Sequence, residues 1–200
     1  GGLNGIFIVF DGKAILGTRA RKVRSKSFAA FDSIGYPIAA FIDDNRIIKY
    51  LEAPAVSAKV RFAASISDSV FLLKLIPGIR PEILAYLGEH YDIIVIESYG
   101  VGGIPFYDKR NFLNELQALT EKGKIIVIAT QVMLEGSDAE KYEVGALALD
   151  RYNVLQSFDM TVESAVTKLM WLCAEHEGYE EIRDGFYKCI NHDLLYDPKN

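Results

Sequence analysis

The distribution of apolar residues divides the chain into two parts. Residues 1–50 carry short apolar runs separated by turn residues, whereas residues 68–200 alternate apolar runs with stretches of helical spacing. Asp-Gly and Asp-Asn pairs interrupt the apolar runs within residues 5–17 and 41–50. Such pairs are typical of β-hairpin turns. The first part is therefore predicted to consist of hairpin strands, with one or two helical turns over residues 27–34.

In the second part, the predicted strands are apolar at consecutive positions rather than at alternate ones. The predicted strands are residues 70–76, 92–97 and 124–129, and the predicted helices are residues 81–87, 109–122, 143–149 and 161–173. Asp159 or Thr161 is predicted to cap the last helix. Strands that alternate with helices and are apolar on both faces are typical of a parallel sheet covered by helices on both sides. The second part is therefore predicted to be a three-layer α/β domain.

The two predicted parts differ in whether they can form a core alone. Residues 51–67 contain a proline, small residues and isolated charges, so they are predicted to form a linker. The few short strands of residues 1–50 do not cover a sheet face by themselves. Because the sequence also begins with glycine rather than methionine, we expect residues 1–50 to be the remainder of a larger domain that starts upstream.

Composition and charge narrow the function classes. The 200 residues are 50% hydrophobic and 24% charged, and 27 acidic against 22 basic residues give a net charge of −5. This balance argues against a nucleic-acid partner bound through bulk charge. The apolar runs are too short to span a membrane. Two cysteines and three histidines show no metal-ligand spacing, so no metal site is expected, and free thiols favour a cytoplasmic location.

Three groups of residues are candidates for chemistry, and each has a structural alternative. The first is a glycine-rich loop after a buried strand: Ser98, Tyr99, Gly100, Gly102 and Gly103. It lies where α/β proteins bind ligands, but a tight turn has the same composition. The second is Lys22, in a basic stretch over residues 19–26 that also fits a solvated loop. The third is Thr130 with Gln131, which end a strand and either bind a ligand or bond the backbone.

Six stretches, taken in their order and spacing, resemble one enzyme family. They are residues 9–13 (VFDGK), 17–22 (GTRARK), 73–79 (LKLIPGI), 98–105 (SYGVGGIP), 141–145 (KYEVG) and 159–172 (DMTVESAVTKLMWL). This ordered set is similar to the bacterial-type L-asparaginases, and most similar to their cytosolic type I branch. The resemblance covers nearly the whole sequence.

The resemblance implies both a fold and an activity. Residues 1–50 would end a larger amino-terminal domain, and residues 68–200 would form the smaller carboxyl-terminal α/β domain. The implied reaction is hydrolysis of L-asparagine to L-aspartate and ammonia by a homo-oligomer, a dimer or tetramer, through an acyl-threonine and without a cofactor. The family's nucleophile lies in a Thr-Gly-Gly-Thr motif, and a second threonine and an aspartate lie in a Gly-Thr-Asp-Thr motif. Neither motif occurs in this sequence, so the 200 residues alone are expected to be inactive.

Lys22 is the catalytic residue that the resemblance assigns to this chain. The family's catalytic lysine follows a hairpin in a Gly-x-x-x-x-Lys context, ahead of a Phe-x-x-Phe segment. Gly17, Lys22, Phe28 and Phe31 match that pattern without a gap. The implied role of Lys22 is to take a proton within a Thr-Asp-Lys set.

The sequence departs from the family at positions that bind small molecules. By this resemblance, residues 98–103 are a substrate or subunit-interface loop. Gly103 stands where many members carry an asparagine that reaches the neighbouring subunit's site, so amide recognition from this position is expected to differ. Some type I members also have an allosteric asparagine site between subunits. The changed positions of that site hold Arg21, Glu97 and Val132. Thr130 and Gln131 are its remnants.

Two other functions stay open from the sequence. One is the ammonia-supplying subunit of archaeal Glu-tRNA amidotransferase, which shares the fold and is disfavoured by the acidic balance. The other is a non-catalytic α/β module that binds an amino acid or a protein partner.

Overall fold

Short antiparallel strands form the first part of the chain. The computed structural model describes residues 4–52, 62–107, 110–141 and 143–196. In the first of these ranges the strands are β1 (Phe7–Phe10), β2 (Lys13–Leu16), β3 (Ala20–Lys22), β4 (Phe31–Ser33), β5 (Ala40–Asp43) and β6 (Arg46–Lys49). One antiparallel sheet has the order β1-β2-β5-β6, and β3 pairs with β4 in a separate two-stranded sheet.

The turn residues explain both predicted hairpins, which are confirmed. Asp11 and Gly12 connect β1 to β2 with φ angles of 50° and 71°. Two positive φ angles are what a two-residue hairpin turn requires, and asparagine, aspartate and glycine tolerate them best. Asp44, between β5 and β6, has a φ of 49°.

The helical turns predicted for residues 27–34 are wrong, because this segment ends in β4. Lys22 of β3 lies opposite Phe31, and the Phe31 ring contacts the Phe10 ring with centroids 5.5 Å apart. A segment of eight residues is too short to hold a helix by its own propensity. Its conformation is therefore decided by the pairing of β4 with β3.

The second part is a parallel sheet with helices on both faces, as predicted. Its strands are β7 (Val70–Lys74), β8 (Ile93–Ser98), β11 (Ile125–Thr130) and β12 (Leu155–Gln156), in the order β12-β11-β8-β7. Its helices are α1 (Glu82–His90), α2 (Phe112–Glu121), α3 (Glu143–Tyr152), α4 (Val162–Glu175) and α5 (Tyr179–Tyr187), and the short strands β9 (Phe106–Tyr107) and β10 (Arg110–Asn111) precede α2.

Alternate side chains of the central strands fill two separate cores. Ile94 and Ile96 of β8 pack with the helices α1, α2 and α3, whereas Ile93 and Val95 pack with α4 and α5. All four side chains are fully buried. A strand buried on both faces has to be apolar at every position, which is why these runs were recognisable in the sequence.

Several predicted bounds shift, and some elements were not predicted. The strand predicted to reach residue 76 ends at Lys74, and the last predicted helix runs from Val162 to Glu175. Thr161 caps that helix by accepting a hydrogen bond from the Ser164 N–H at 3.1 Å, so the cap is Thr161 rather than Asp159. The helix α5 and the strand β12 were missed.

The predicted linker is described only at its ends, because residues 53–61 lie outside the described residues. Residue 109, the predicted start of α2, also lies outside them. Among the helices of the described ranges, none has the length and apolar character needed to cross a membrane.

Candidate functional site

Lys22 is the last residue of β3 and lies on the surface of the first part. Its backbone is placed by the pairing with Phe31, and by a hydrogen bond from the Val23 N–H to the Ala30 carbonyl at 2.8 Å. The Lys22 side chain is exposed. Within the described ranges, no hydrogen bond or ion pair engages the Lys22 amine. The hairpin thus fixes the backbone of Lys22 and leaves its amine available to other groups.

The basic stretch around Lys22 does not converge on one point. The Arg19 guanidinium is fully buried against Asp159, at 2.7 Å. Arg21 Nε lies 3.2 Å from Glu163 Oε1 on α4. These two of the five cations are therefore engaged in ion pairs with the second part.

The loop after β8 is held by its own backbone. Ser98 is buried, and its Oγ donates a hydrogen bond to the Ala129 carbonyl at 2.6 Å. The Tyr99 N–H donates to the Gly103 carbonyl at 3.0 Å, and the Gly103 N–H donates to the Tyr99 carbonyl at 2.7 Å. This closed pairing makes residues 98–103 a tight turn at the carboxyl edge of the sheet.

Gly102 is the position in this loop where glycine is required. Its φ is +145°, and a Cβ built on it would lie 2.6 Å from Ala139 Cα. Gly103 is different, because a Cβ there would lie 3.2 Å from the Tyr99 carbonyl oxygen and its backbone is ordinary. The loop therefore packs closely against the segment that contains Ala139, and the contact at position 103 is less severe than the one at Gly102.

Thr130 and Gln131 use their side-chain donors inside the protein. Thr130 Oγ1 donates to the Gly100 carbonyl. Gln131 Nε2 donates to the carbonyl oxygens of Leu75 and Glu97, at 2.7 and 3.0 Å. These contacts hold the ends of β7, β8 and β11 together. The assignment of Thr130 and Gln131 to a remnant allosteric site stays a prediction.

The charged residues at the changed positions of the family's allosteric site are also engaged internally. Glu97 Oε2 lies 3.9 Å from Lys74 Nζ, and 8% of the Glu97 side chain is exposed. Arg21 pairs with Glu163 as described above. An incoming ligand would have to compete with both ion pairs.

Cavities in the described part of the chain are not centred on Lys22. A cleft of about 40 Å³ is lined by residues of both parts, including Arg21, Gly35, Thr130 and Asp159. That volume has room for water but not for an amino acid. A larger cavity of about 460 Å³ lies at the opposite edge of the sheet, beside Gly178. Lys22 is not among the residues that line either cavity.

Both parts of the chain match asparaginase families. Residues 2–55 match the family described as "Asparaginase, N-terminal", and residues 69–186 match the "Glutaminase/Asparaginase C-terminal domain". The chain belongs to the asparaginase family. The order of the two matches is the order of the two parts in the fold.

Curated relatives of this asparaginase-family chain include enzymes and one component of an amidotransferase. The L-asparaginase of Thermococcus kodakarensis is 38% identical over 182 residues, which are 91% of this chain and 55% of the relative. L-asparaginase 1 of Escherichia coli K12 is 27% identical over 198 residues, 98% of this chain and 57% of the relative. A Glutamyl-tRNA(Gln) amidotransferase subunit of Methanosphaera stadtmanae is 30% identical over 173 residues, 83% of this chain and 38% of the relative.

Solved asparaginase structures share the fold. The thermostable L-asparaginase from T. kodakarensis superposes with a TM-score of 0.90 at 35% identity, covering 96% of this chain and 58% of that structure. L-asparaginase I from Vibrio cholerae superposes with a TM-score of 0.80 at 25% identity, covering 97% of this chain and 58% of that structure. The chain thus spans little more than half the length of the L-asparaginases that it matches.

The sequence did not reveal the buried ionic groups. Arg19 belongs to a stretch that also fits a solvated loop, and Asp159 is one of two cap candidates, but the two side chains form an ion pair in which Arg19 is buried. A second buried pair joins Lys168 and Asp193 at 2.8 Å. The signal that could have found Lys168 is its position on the apolar face of α4, between Ala165 and Leu169, where an unpaired lysine would be costly.

Proposed function

We propose that these 200 residues are the carboxyl-terminal part of a cytoplasmic L-asparaginase, which hydrolyses L-asparagine to L-aspartate and ammonia. The observation that carries the proposal is the ordered match of both parts of the chain to the L-asparaginase of T. kodakarensis. Residues 1–50 then complete the amino-terminal domain, and residues 68–200 are the carboxyl-terminal domain.

Lys22 is the catalytic residue that the chain contributes in this proposal. A threonine from outside the 200 residues attacks the side-chain amide carbon, ammonia leaves, and water hydrolyses the acyl-threonine. The Lys22 amine accepts a proton within a Thr-Asp-Lys set, which requires a neutral amine at that moment. Its lack of a hydrogen-bond or ion-pair partner in the described ranges is compatible with this role.

The loop of residues 98–103 is proposed to face a second copy of the chain. Met133 and Leu134, on the segment after β11, expose 38% and 70% of their surface at the same edge of the sheet. A two-fold contact would bury these apolar side chains and bring the glycine loop to the neighbouring site. The oligomer is a dimer or a tetramer, with L-asparagine as the small-molecule partner and no cofactor.

The experiment restores the missing groups. The purified chain is mixed with the amino-terminal segment of the T. kodakarensis L-asparaginase that lies upstream of the matched region, and ammonia release from L-asparagine is followed. The chain alone is expected to be inactive, and the mixture active. Ammonia release by the chain alone, at a rate unaffected by Lys22→Ala, would overturn the proposal.

Lys22 has a matched control in Lys26, which is also exposed and basic. In the active mixture, Lys22→Met is expected to lower kcat by roughly 10²–10⁴-fold, the usual contribution of general base catalysis. KM should change little, because the amine is not expected to hold the substrate carboxylate. Lys26→Met should retain kcat. Equal, small effects of both substitutions would mean that Lys22 is an ordinary surface cation.

The second candidate function is the ammonia-supplying subunit of Glu-tRNA amidotransferase. The 30% identity to the amidotransferase component of M. stadtmanae favours it. The same mixture tests this function if L-glutamine, Glu-tRNA and the other amidotransferase component replace free L-asparagine. Activity that depends on the tRNA would favour the amidotransferase, whereas binding of L-asparagine without turnover in any mixture would favour a non-catalytic binding module.

A further inference from the structure

Arg19 lies three residues before Lys22, at the junction between the two parts of the chain. Its side chain is fully buried. Nε donates to the His192 carbonyl at 2.6 Å, Nη1 donates to the Asp159 carbonyl at 2.7 Å, and Nη2 pairs with Asp159 Oδ2 at 2.7 Å. The guanidinium also lies 5.7 Å from the centre of the Tyr36 ring. Every nitrogen of the planar fork is thus directed at a fixed partner.

The partners of Arg19 are themselves held in place. Asp159 also accepts hydrogen bonds from the backbone N–H groups of Leu195 and Tyr196, at 3.0 and 3.2 Å. His192 has a left-handed backbone, with a φ of 59°, and its ring stacks on the Tyr36 ring with centroids 4.9 Å apart. The groups that surround the Arg19 guanidinium therefore come from two segments of the second part and from Tyr36 of the first.

Neighbouring contacts repeat the same connection. Thr18 Oγ1 donates to the Asn191 carbonyl at 2.6 Å, and Thr161 Oγ1 donates to the Thr18 carbonyl at 3.1 Å. Asn191, like His192, has a positive φ, of 48°. These two left-handed residues turn consecutive carbonyl groups toward Thr18 and Arg19. Such a backbone conformation costs free energy and persists only where the surrounding contacts hold it in place.

The direction of β3 connects this junction to Lys22. Side chains on a strand alternate between its faces, so Arg19 and Arg21 reach the second part while Lys22 projects from the opposite face. β3 contains three residues and pairs only with β4 in its sheet. The Lys22 side chain has no hydrogen-bond or ion-pair partner in the described ranges that could hold it. Pairing with β4 fixes the Lys22 backbone within the hairpin, and the contacts at the start of β3 orient that hairpin relative to the second part.

We propose that Arg19 is a positioning residue that anchors β3 to the carboxyl-terminal domain and thereby places the Lys22 amine. A buried apolar side chain would join the two parts as firmly, but it would not define one orientation. The planar guanidinium binds one carboxylate oxygen and two backbone carbonyls in fixed directions. Lysine cannot reproduce this arrangement because its ammonium is a point charge. As far as it concerns catalysis, this inference rests on the proposed function of Lys22.

The direct test measures the position of residue 22 without using activity. Spin labels are attached at Lys22→Cys and at Ala85→Cys, an exposed site on α1, after Cys173→Ala and Cys189→Ser remove the native thiols. The distribution of the distance between the labels is measured well below the unfolding temperature of each variant. Arg19→Met, and Arg19→Lys as the variant with the retained charge, are each expected to at least double its width. Arg21→Met, which removes the exposed pair with Glu163, should leave the width unchanged.

The catalytic test uses the active mixture. Arg19→Met is expected to lower kcat roughly 10- to 100-fold with KM within about twofold, since small misplacement of a catalytic group costs rates of that order. Added to Lys22→Met, it should have no further effect, because both substitutions remove the same function. A loss of global stability alone would instead add to the effect of Lys22→Met.

The outcomes separate the inference from the proposed function. An unchanged width in Arg19→Lys and in any Arg19→Met that folds, or equal broadening in Arg21→Met, overturns the positioning role whatever the rates are. Broadening in the Arg19 variants together with full activity of Lys22→Met supports the anchoring of β3 and overturns Lys22 as the catalytic lysine. Broadening together with a kcat loss that vanishes in the Lys22→Met background supports both.

Discussion

Lys168 of α4 and Asp193 form an ion pair that is almost completely enclosed, with 4% and 2% of their side chains exposed. Lys168 Nζ also donates to the Lys188 carbonyl at 2.6 Å, and Asp193 Oδ1 accepts from the Ile190 N–H at 2.7 Å. Burial lowers the pKa of the Lys168 ammonium, and Asp193 opposes that shift. Each charge in this pair is tolerated only because the other is present.

Removing one member of this pair should destabilise the chain strongly. Lys168→Met leaves Asp193 buried without a counter-charge, a change that typically costs about 3–5 kcal/mol. Adding Asp193→Asn should recover most of the loss, because an amide oxygen can still accept from the Ile190 N–H. Urea unfolding of the 200-residue chain measures both free energies. A double variant that is no more stable than Lys168→Met would show that the contact is not governed by charge.

Asp92 predicts a pH dependence of stability. Hydrogen bonds from Lys124 and Ser69 lower the pKa of its carboxyl below the ordinary value of 3.8. A carboxyl with a depressed folded-state pKa contributes stability above its unfolded-state pKa, and the contribution is lost as the pH falls through the folded-state value. The stability difference between wild type and Asp92→Asn should therefore be present at pH 7 and shrink below about pH 4. A difference that stays constant from pH 7 to pH 2.5 in thermal unfolding would contradict this.

Motif spacing makes Lys22 a candidate from the sequence, whereas the environment of Arg19 is not predictable. Five basic residues in residues 19–26 have the same one-letter pattern whether they are buried or solvated. What distinguishes Arg19 is a carboxylate 140 positions away. No local pattern encodes a partner at that separation, so the sequence does not distinguish Arg19 from the other four basic residues of the stretch.

At the scale of elements, the loop after β8 shows how one glycine differs from the next. Gly102→Ala forces an L side chain into a φ of +145° and places its Cβ 2.6 Å from the backbone of Ala139. Strain and overpacking of this kind together cost roughly 2–5 kcal/mol. Gly103→Ala has an ordinary backbone and a milder contact, 3.2 Å from the Tyr99 carbonyl oxygen, so it should cost clearly less than Gly102→Ala. Urea unfolding compares the two, and similar losses for both would mean that the loop is not closely packed in solution.

The helix α5 shows why some elements escaped prediction. Its sequence is rich in charged residues, and Ile182 and Phe186 are the side chains that it buries. Gly185 lies inside the helix, where a Cβ would approach Leu172 of α4 to 2.5 Å. A glycine in a charged segment suggests a loop from propensity alone, but here it allows two helices to pack closely. The central strands, in contrast, were predictable because both of their faces are buried.

At the scale of the whole molecule, the order of parts was predictable and their contact was not. Apolar pattern separated hairpin strands from a parallel sheet, because each architecture imposes its own period. The exposed apolar side chains of the first part, such as Val9, Ile47 and Ile48, agree with the expectation that residues 1–50 do not form a complete core. The contact between the two parts depends on hydrogen bonds to the backbone carbonyls of Asp159, Asn191 and His192. A pattern of side-chain types contains no information about backbone carbonyls.

Self-association is testable on the chain itself. Leu134→Glu places a charge on the surface proposed to face a second copy, and it should shift the chain toward a monomer in sedimentation velocity at micromolar concentration. Ile66→Glu is the matched control, since Ile66 exposes 68% of its surface and Leu134 exposes 70%, but Ile66 lies before β7. If the wild-type chain is a monomer at high micromolar concentration, the proposed contact is wrong. Equal effects of both substitutions would mean that the contact does not involve the surface around Leu134 specifically.

The long sequence separation between Arg19 and its hydrogen-bond partners has a consequence for synthesis on the ribosome. The hydrogen bond from Arg19 to His192 spans 173 positions, so at translation rates of about 5–20 residues per second it cannot form until roughly 10–35 s after Arg19 is made. Until then the guanidinium has to stay hydrated, and the hairpin of β3 and β4 emerges without the contacts that orient it. The strand that carries Lys22 is therefore synthesised well before the contacts that fix its final orientation can form.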